Sequence, residues 1–114
     1  MREKVLELVE RHCATLRFEA DALADAFRHV ETSRDPQALT ALIAAAHKLK
    51  GSSGSIGFKQ ISDQAQIIEH LAKDSEKRQL SSPEMDQWHK GQAELQSLIA
   101  KITPHQSSLY TRFL

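Results

Sequence analysis

The chain has 114 residues, of which 40% are hydrophobic and 26% are charged, so its length and composition predict one globular domain with one core. Its 15 Lys and Arg residues balance 15 Asp and Glu residues, and this zero net charge argues against a strongly basic nucleic-acid-binding or membrane-surface protein. A single cysteine, the lack of a signal peptide and the lack of an apolar run of roughly 20 residues predict a cytoplasmic protein with no internal disulfide and no transmembrane helix.

Two helices are predicted in the first half of the chain. Residues 2–31 contain neither glycine nor proline and have apolar residues every three or four positions, as on one face of a long helix; a break near residues 13–15 is an alternative. Asp35 and Pro36 have the residue types of an N-cap and a first helical position, and they predict where the second helix begins. Its core positions are Leu39, Leu42, Ala46, Leu49 and Ser53.

Two more helices are predicted in the second half. The third begins after Gly57, and its core positions are Phe58, Ile61, Ala65, Ile68 and Ala72. The fourth has Ser81 or Ser82 as its N-cap, Pro83 near its first position, and Glu84 as the partner of Ser81 in a capping box. Its core positions are Met85, Trp88, Gln92, Leu95, Ile99 and Ile102, among which the polar Gln92 requires a buried partner or a place near the rim.

The predicted fold class is all-α, because no β-branched run alternates with polar residues as a strand would. Four amphipathic helices with short connections predict an antiparallel up-and-down four-helix bundle over residues 1–104. Residues 105–114 form a C-terminal tail, whose apolar residues either dock onto the bundle or lead into a further segment. Met1 and the short tail favour a stand-alone protein over a segment of a larger kinase.

The second predicted helix has an unusual face opposite its core. At about 100° per residue, His47 lies roughly 130° from the centre of the core positions, so its ring is predicted to point outward. Its neighbours on that face are small: Thr40, Ala44, Gly51 and Gly54. Exposed helix positions usually carry Glu, Lys or Gln, and glycine inside a helix costs about 1 kcal/mol relative to alanine. We therefore predict a docking surface for another macromolecule, on which Gly51 keeps the ring accessible.

An exposed imidazole with a nearby cation indicates phosphoryl transfer. A neutral histidine has a nucleophilic ring nitrogen that can attack phosphorus. Lys50, about one turn after His47, can bring its ammonium group to the oxygens of a transferring phosphoryl group, and Lys48 is the weaker candidate. The alternative is that His47 is an ordinary surface histidine, but the small residues around it favour a functional role.

The segment from His47 to Phe58 resembles the signature of histidine-containing phosphotransfer (HPt) domains, which carry phosphate in two-component phosphorelays. In that pattern a phosphorylatable His is followed three residues later by Lys, then by Gly and small residues, and later by a Gly that precedes an apolar residue. This chain has Lys50, Gly51 and Gly57 at those places. The helical organisation also matches that of the family over most of the chain.

The resemblance implies a mechanism for this chain. His47 would accept a phosphoryl group from the aspartyl phosphate of a response-regulator receiver domain and return it to a second receiver aspartate. Lys50 would stabilise the phosphoryl oxygens, and Gly51 would give access to the ring. The family often has Gln or Glu beside the histidine on the next helix; Glu69 stands at that position, with Gln66 one turn earlier on the same flank. A solvated Glu69 with no role is the alternative.

The resemblance also implies the partners and cofactors. The expected partners are receiver domains, which can include that of a hybrid sensor histidine kinase, and the expected state is a monomer. The receiver would supply Mg²⁺, so the chain needs no metal or cofactor of its own. It would act as a regenerated phosphocarrier rather than as a free-standing enzyme, and no ATP-binding kinase domain fits in this chain.

Docking is predicted on the outward face of the second helix and the adjoining flank of the third, where Ile67 lies off the core positions. No pair of histidines has the spacing of a metal site on one helix, so no metal site is predicted. The alternative function is a non-catalytic module that binds a receiver domain without phosphoryl transfer.

Overall fold

The computed structural model describes residues 2–33 and 35–112, which are helical almost throughout and contain no β-strand. The four long helices are α1 (Arg2–Ser33), α2 (Pro36–Ser55), α3 (Lys59–Lys77) and α4 (Ser82–Ala100), and a 3-10 turn (Pro104–Gln106) and a short helix α5 (Ser108–Thr111) follow them. The all-α prediction is confirmed. The alternative of a break in the first helix near residues 13–15 is wrong, because α1 continues through its unbroken apolar face.

The predicted caps form at the starts of α2 and α4. The Asp35 side chain accepts a hydrogen bond from the Gln37 backbone N–H at 2.9 Å, and Pro36 follows it as the first helical residue. At α4 the Ser81 side chain accepts from the backbone N–H of Glu84, whose carboxylate accepts from the N–H of Ser81 in return. These caps fix where α2 and α4 begin, since they satisfy backbone donors that have no partner inside the helix.

The apolar faces of the long helices meet in one core. α2 packs against α1 and α3, α3 packs against α4, and α4 also packs against α1, an arrangement compatible with a helical bundle. Gln92 is buried with the apolar residues of α4, but the prediction for Met85 is wrong because this side chain is 41% exposed. Met85 lies in the first turn of α4, at the end of the bundle, where its neighbours do not cover it. No helix in the described residues combines the length and the apolar composition needed to cross a bilayer.

The C-terminal tail docks at the turn between α2 and α3. Ser107 and Tyr110 are buried, the Ser107 hydroxyl donates to the carbonyl of Ile56, and the Ser108 N–H donates to the carbonyl of Gly57 at 3.0 Å. Gly57 has a φ of +90°, and a Cβ there would lie 2.7 Å from the backbone nitrogen of Leu109, so this turn requires glycine. Residues 113 and 114, which include two of the predicted apolar tail residues, lie outside the described residues.

Candidate functional site

His47 lies on the exposed face of α2. Its side chain is 68% exposed, whereas its neighbours Ala46 and Leu49 are fully buried in the core. Ala44 and Thr40, one and two turns before it on the same side of the helix, are also exposed. The ring therefore points outward, as the helical periodicity predicts.

Glu69 of α3 forms a hydrogen bond with Nδ1 of the His47 ring. Its Oε2 lies 2.7 Å from His47 Nδ1, and the residue is only 2% exposed. Since an ionised carboxylate can only accept a hydrogen bond, Nδ1 carries the proton of the neutral imidazole and Nε2 keeps its lone pair. In the described part of the chain Nε2 has no hydrogen-bond partner. The alternative of a solvated Glu69 is wrong, because α3 packs this side chain against α2.

Two lysines neutralise the buried carboxylate. Lys50 Nζ donates to Glu69 Oε1 at 2.9 Å, and Lys73 Nζ lies 3.5 Å from Oε2, the oxygen that His47 also contacts. Burial raises the pKa of Glu69, but the hydrogen bonds from Lys50 and His47 and the charges of Lys50 and Lys73 outweigh it, so the pKa is lowered. Glu69 is therefore ionised at neutral pH, as the assignment of the Nδ1 proton requires.

Near the C-terminal end of α2, after His47, hydroxyl side chains hold this helix close to its neighbours. Ser62 Oγ donates to the Lys50 carbonyl at 3.0 Å and so ties α3 to the turn that carries the lysine. Ser52 Oγ donates to Glu19 of α1 at 3.1 Å, while the buried Ser53 donates to the Leu49 carbonyl at 2.6 Å. The contact from Ser62 therefore holds α3 against α2 near the site, and the contact from Ser52 holds α2 against α1.

The glycines after His47 have different surroundings. Gly51 is exposed, and a Cβ there would meet no atom of the described residues within 4 Å, so no packing contact among them requires glycine at that position. A Cβ at Gly54, in contrast, would lie 3.1 Å from Ser62 Oγ, so Gly54 allows the close approach of α2 and α3. The open space at Gly51 is consistent with a backbone that must be approached closely from outside.

The remaining predicted site residues form no side-chain hydrogen bond or ion pair with His47 in the described structure. Gln66 is exposed and, among the described residues, forms no hydrogen bond. Ile67 is half-buried, packs against the core, and lines a groove with residues of α4 such as Pro83 and Gly91, and its part in docking stays a prediction. Two residues rotate a helix by about 200°, so Ile67 lies on the side of α3 away from Glu69, next to α4.

His47, Lys50, Glu69 and Lys73 form a cluster of charged or titratable side chains. Lys73 is the one member that the sequence analysis did not identify. Its spacing from Glu69 is i, i+4, the spacing of an ion pair on one helix face, and this signal was present in the sequence. Its importance depends on the burial of Glu69, which only the packing of α3 on α2 reveals. In the described residues no group of three or more His, Cys, Asp or Glu side chains is arranged to hold a metal ion.

A known family model matches most of the chain. The family model described as "Hpt domain" matches residues 2–102, a range that contains all four long helices and the cluster around His47. Searches of curated proteins and of solved structures gave no match.

Proposed function

Because this chain belongs to the Hpt domain family, whose members carry out histidine phosphotransfer in two-component phosphorelays, we propose that His47 is the residue that carries the phosphoryl group. In this proposal His47 accepts the group from an aspartyl phosphate of one receiver domain and passes it to an aspartate of another. Receiver domains of response regulators or hybrid kinases are the partners of this family.

The observation that carries the proposal is the asymmetry of the His47 ring. Nδ1 is bound to a buried, ionised carboxylate, while the side chain as a whole is 68% exposed. The free lone pair is thus on Nε2, and the bond to Glu69 fixes both the tautomer and the orientation of the ring. An ordinary surface histidine would have neither its tautomer nor its direction set in this way.

The transfer requires no proton donor or acceptor from this chain. The Nε2 lone pair forms a bond to phosphorus as the bond from phosphorus to the aspartate oxygen breaks, and its electron pair stays on the departing carboxylate. Nδ1 keeps its proton, so the ring gains positive charge as the new bond forms. Glu69, 2.7 Å from Nδ1, stabilises that charge, and the reverse reaction regenerates the neutral ring.

Lys50 supplies a positive charge for the phosphoryl oxygens. Its side chain is 30% exposed and lies one turn after His47, so its ammonium group can turn from Glu69 toward a group on Nε2. In this proposal Mg²⁺ comes with the receiver domain, where it neutralises charge on the transferring group. The chain is then a carrier that is regenerated in each cycle, and the exposed face with Thr40, Ala44 and Gly51 is where the receiver docks.

We also infer that the four long helices run antiparallel, as in an up-and-down bundle. Contacts between α1 and α4 run in opposite directions along the two helices: the Phe27 and Trp88 rings are 5.7 Å apart, and Gln96 Nε2 donates to the Ala20 carbonyl at 3.3 Å. The connections between consecutive helices are short, which favours this topology.

The test is phosphoryl transfer from a receiver domain. The full chain is incubated with a phosphorylated receiver and Mg²⁺, and the label on the chain is measured for stability in acid and in base. We expect an acid-labile, base-stable label that His47→Gln abolishes, because a phosphoramidate bond has this stability. His29→Gln, which removes another exposed histidine on α1, is the matched control and should leave the label unchanged.

The same experiment tests the alternative function. If the receiver binds the chain with unchanged affinity for wild type and His47→Gln, and no label appears on either, the chain is a non-catalytic receiver-binding module. A label that remains in His47→Gln would instead assign the phosphoryl group to another residue.

A further inference from the structure

More than one cationic side chain lies near the Glu69 carboxylate, although a single cation would balance its charge. From α2 it is faced by His47 and Lys50, and from its own helix by Lys73, whose side chain is 52% exposed. Lys50 makes the shorter contact, at 2.9 Å, and Lys73 lies at 3.5 Å. In the unphosphorylated protein Lys50 alone would pair with the carboxylate, so the second lysine requires an explanation.

Phosphorylation gives Lys50 a second anion to bind. To reach the oxygens of the incoming phosphoryl group, its ammonium group has to leave Glu69 Oε1 while the ring is still neutral, and the carboxylate is then buried without its closest cation until the new bond puts positive charge on the ring. An unpaired buried charge is strongly unfavourable, and a carboxylate without a cation tends to take up a proton. A protonated Glu69 would no longer fix the Nδ1 proton or stabilise positive charge on the ring.

We propose that Lys73 is a positioning residue that keeps Glu69 paired with a cation while Lys50 turns to the phosphoryl group. Its half-exposed side chain is free to shorten the 3.5 Å contact, and its place one turn after Glu69 keeps it beside the same oxygen that His47 contacts. Lys73 thus acts on the reaction through Glu69 and does not itself contact the phosphoryl group. This inference rests on the proposed function only in requiring a phosphoryl group on His47.

The test uses phosphoramidate, a small donor that labels histidine without a receiver domain. The bond from phosphorus to ammonia breaks, ammonia leaves, and the bond from phosphorus to Nε2 forms. Labelling runs on the full-length chain near neutral pH, where the nitrogen of phosphoramidate is protonated and leaves as ammonia. Samples are then made alkaline, because phosphohistidine is acid-labile, and the label at His47 is followed by mass spectrometry. The variants are Lys73→Met, Lys73→Arg and Lys77→Met, each made in the wild-type and in the Glu69→Gln background. Thermal unfolding by circular dichroism verifies that each variant is folded.

We expect Lys73→Met to slow labelling by about twofold to fivefold, the range of a partly exposed ion pair, and Lys73→Arg to restore the rate. Lys77→Met removes a charge one turn further along the same helix, where the described structure gives it no ion pair, and should have no effect. In the Glu69→Gln background the effect of Lys73→Met should disappear, because a neutral amide needs no cation when Lys50 leaves.

Two results would overturn the inference. An equal effect of Lys73→Met in both backgrounds would mean that Lys73 acts on the phosphoryl group directly, and equal rates for Lys73→Met and Lys77→Met would mean that it has no role. Failure of the proposed function would be seen separately, as absence of transfer from a phosphorylated receiver, which this experiment does not use.

Discussion

The buried carboxylate of Glu69 connects the structure of the site to its reactivity. One of its oxygens is bound to His47 Nδ1 and the other to Lys50, so the nucleophile and the cation are positioned by the same side chain. A hydrogen-bond acceptor of this kind on a solvated side chain would be weakened by water and by its own mobility. Because Glu69 is 2% exposed, little water competes for its hydrogen bonds with the two partners.

At Gly51 the effect of an added side chain on stability can be measured separately from its effect on phosphoryl transfer. A Cβ fits there without contact, so Gly51→Ala should raise the free energy of unfolding by up to about 1 kcal/mol, the helix preference of alanine over glycine. Gly51→Gln should slow transfer from a receiver by about tenfold, equivalent to roughly 1.4 kcal/mol of lost docking free energy. Denaturant unfolding and receiver-transfer rates measure the two effects.

The control for Gly51 is Ala41→Gln, which adds the same side chain to an exposed position of α2 about 120° from His47. It should leave the transfer rate unchanged. If Gly51→Gln and Ala41→Gln transfer at the same rate, then Gly51 does not provide access for the partner.

At the start of α4, an arginine and a glutamate make close charged contacts. Arg78, just after α3, donates two hydrogen bonds to the Glu84 carboxylate, at 2.8 and 2.6 Å, and Glu84 also closes the capping box with Ser81. The hydrogen bonds from Arg78, with those from the cap, lower the pKa of Glu84 to about 2. This carboxylate therefore links the end of α3 to the start of α4.

Acid should weaken this link. The pKa of Glu84 is lower in the folded chain, about 2, than its ordinary value of 4.5, so its contribution to stability is present above pH 4.5 and is lost as the pH falls toward 2. Glu84→Gln should therefore lose less stability than the wild type between pH 6 and pH 2.5, as measured by urea unfolding.

The reference for this experiment is Glu94→Gln, on the same helix at an exposed position that forms no ion pair in the described structure. Its loss of stability over the same pH range should equal that of the wild type. Identical pH dependence in Glu84→Gln and Glu94→Gln would show that the contact with Arg78 does not contribute.

For the whole molecule, the C-terminal tail is part of the packed structure. Tyr110 joins the hydrophobic core and stacks edge-on against His105 with ring centroids 5.1 Å apart, and the residues before it bind the turn at Gly57. That turn joins α2 to α3, the two helices that together form the cluster around His47. The tail thus supports the connection on which the spacing of the site depends.

Truncation of Tyr110 tests this support in the full-length chain. Tyr110→Ala should lower the free energy of unfolding by about 3 kcal/mol, the cost of removing a buried aromatic side chain and leaving a cavity. Thr111→Ala changes the neighbouring exposed residue of α5 and should cost far less. Chemical denaturation measures both, and equal midpoints for the two variants would mean that the tail does not stabilise the fold.

Sequence patterns were sufficient for the parts of this protein that depend on local physics. Helix periodicity predicted the four long helices, Asp35 and Ser81 predicted where two of them begin, and the 100° rotation per residue predicted that His47 points outward. These features follow from residues within a few turns of each other. The outward His47 beside an unobstructed Gly51 was predicted for the same reason.

The family resemblance implied that Glu69 lies beside His47, but only the tertiary structure determined the other contacts between side chains of different helices. The rotation of α3 against α2 buries Glu69 between His47 and Lys50, adds Lys73 to the cluster and turns Ile67 toward α4. The exposure of Met85 at the end of the bundle and the docking of the tail also depend on the tertiary structure. They are set by where each helix ends and by which neighbours cover it. A sequence gives the faces of each helix, but the angle at which two faces pack is set by the summed contacts of the whole core.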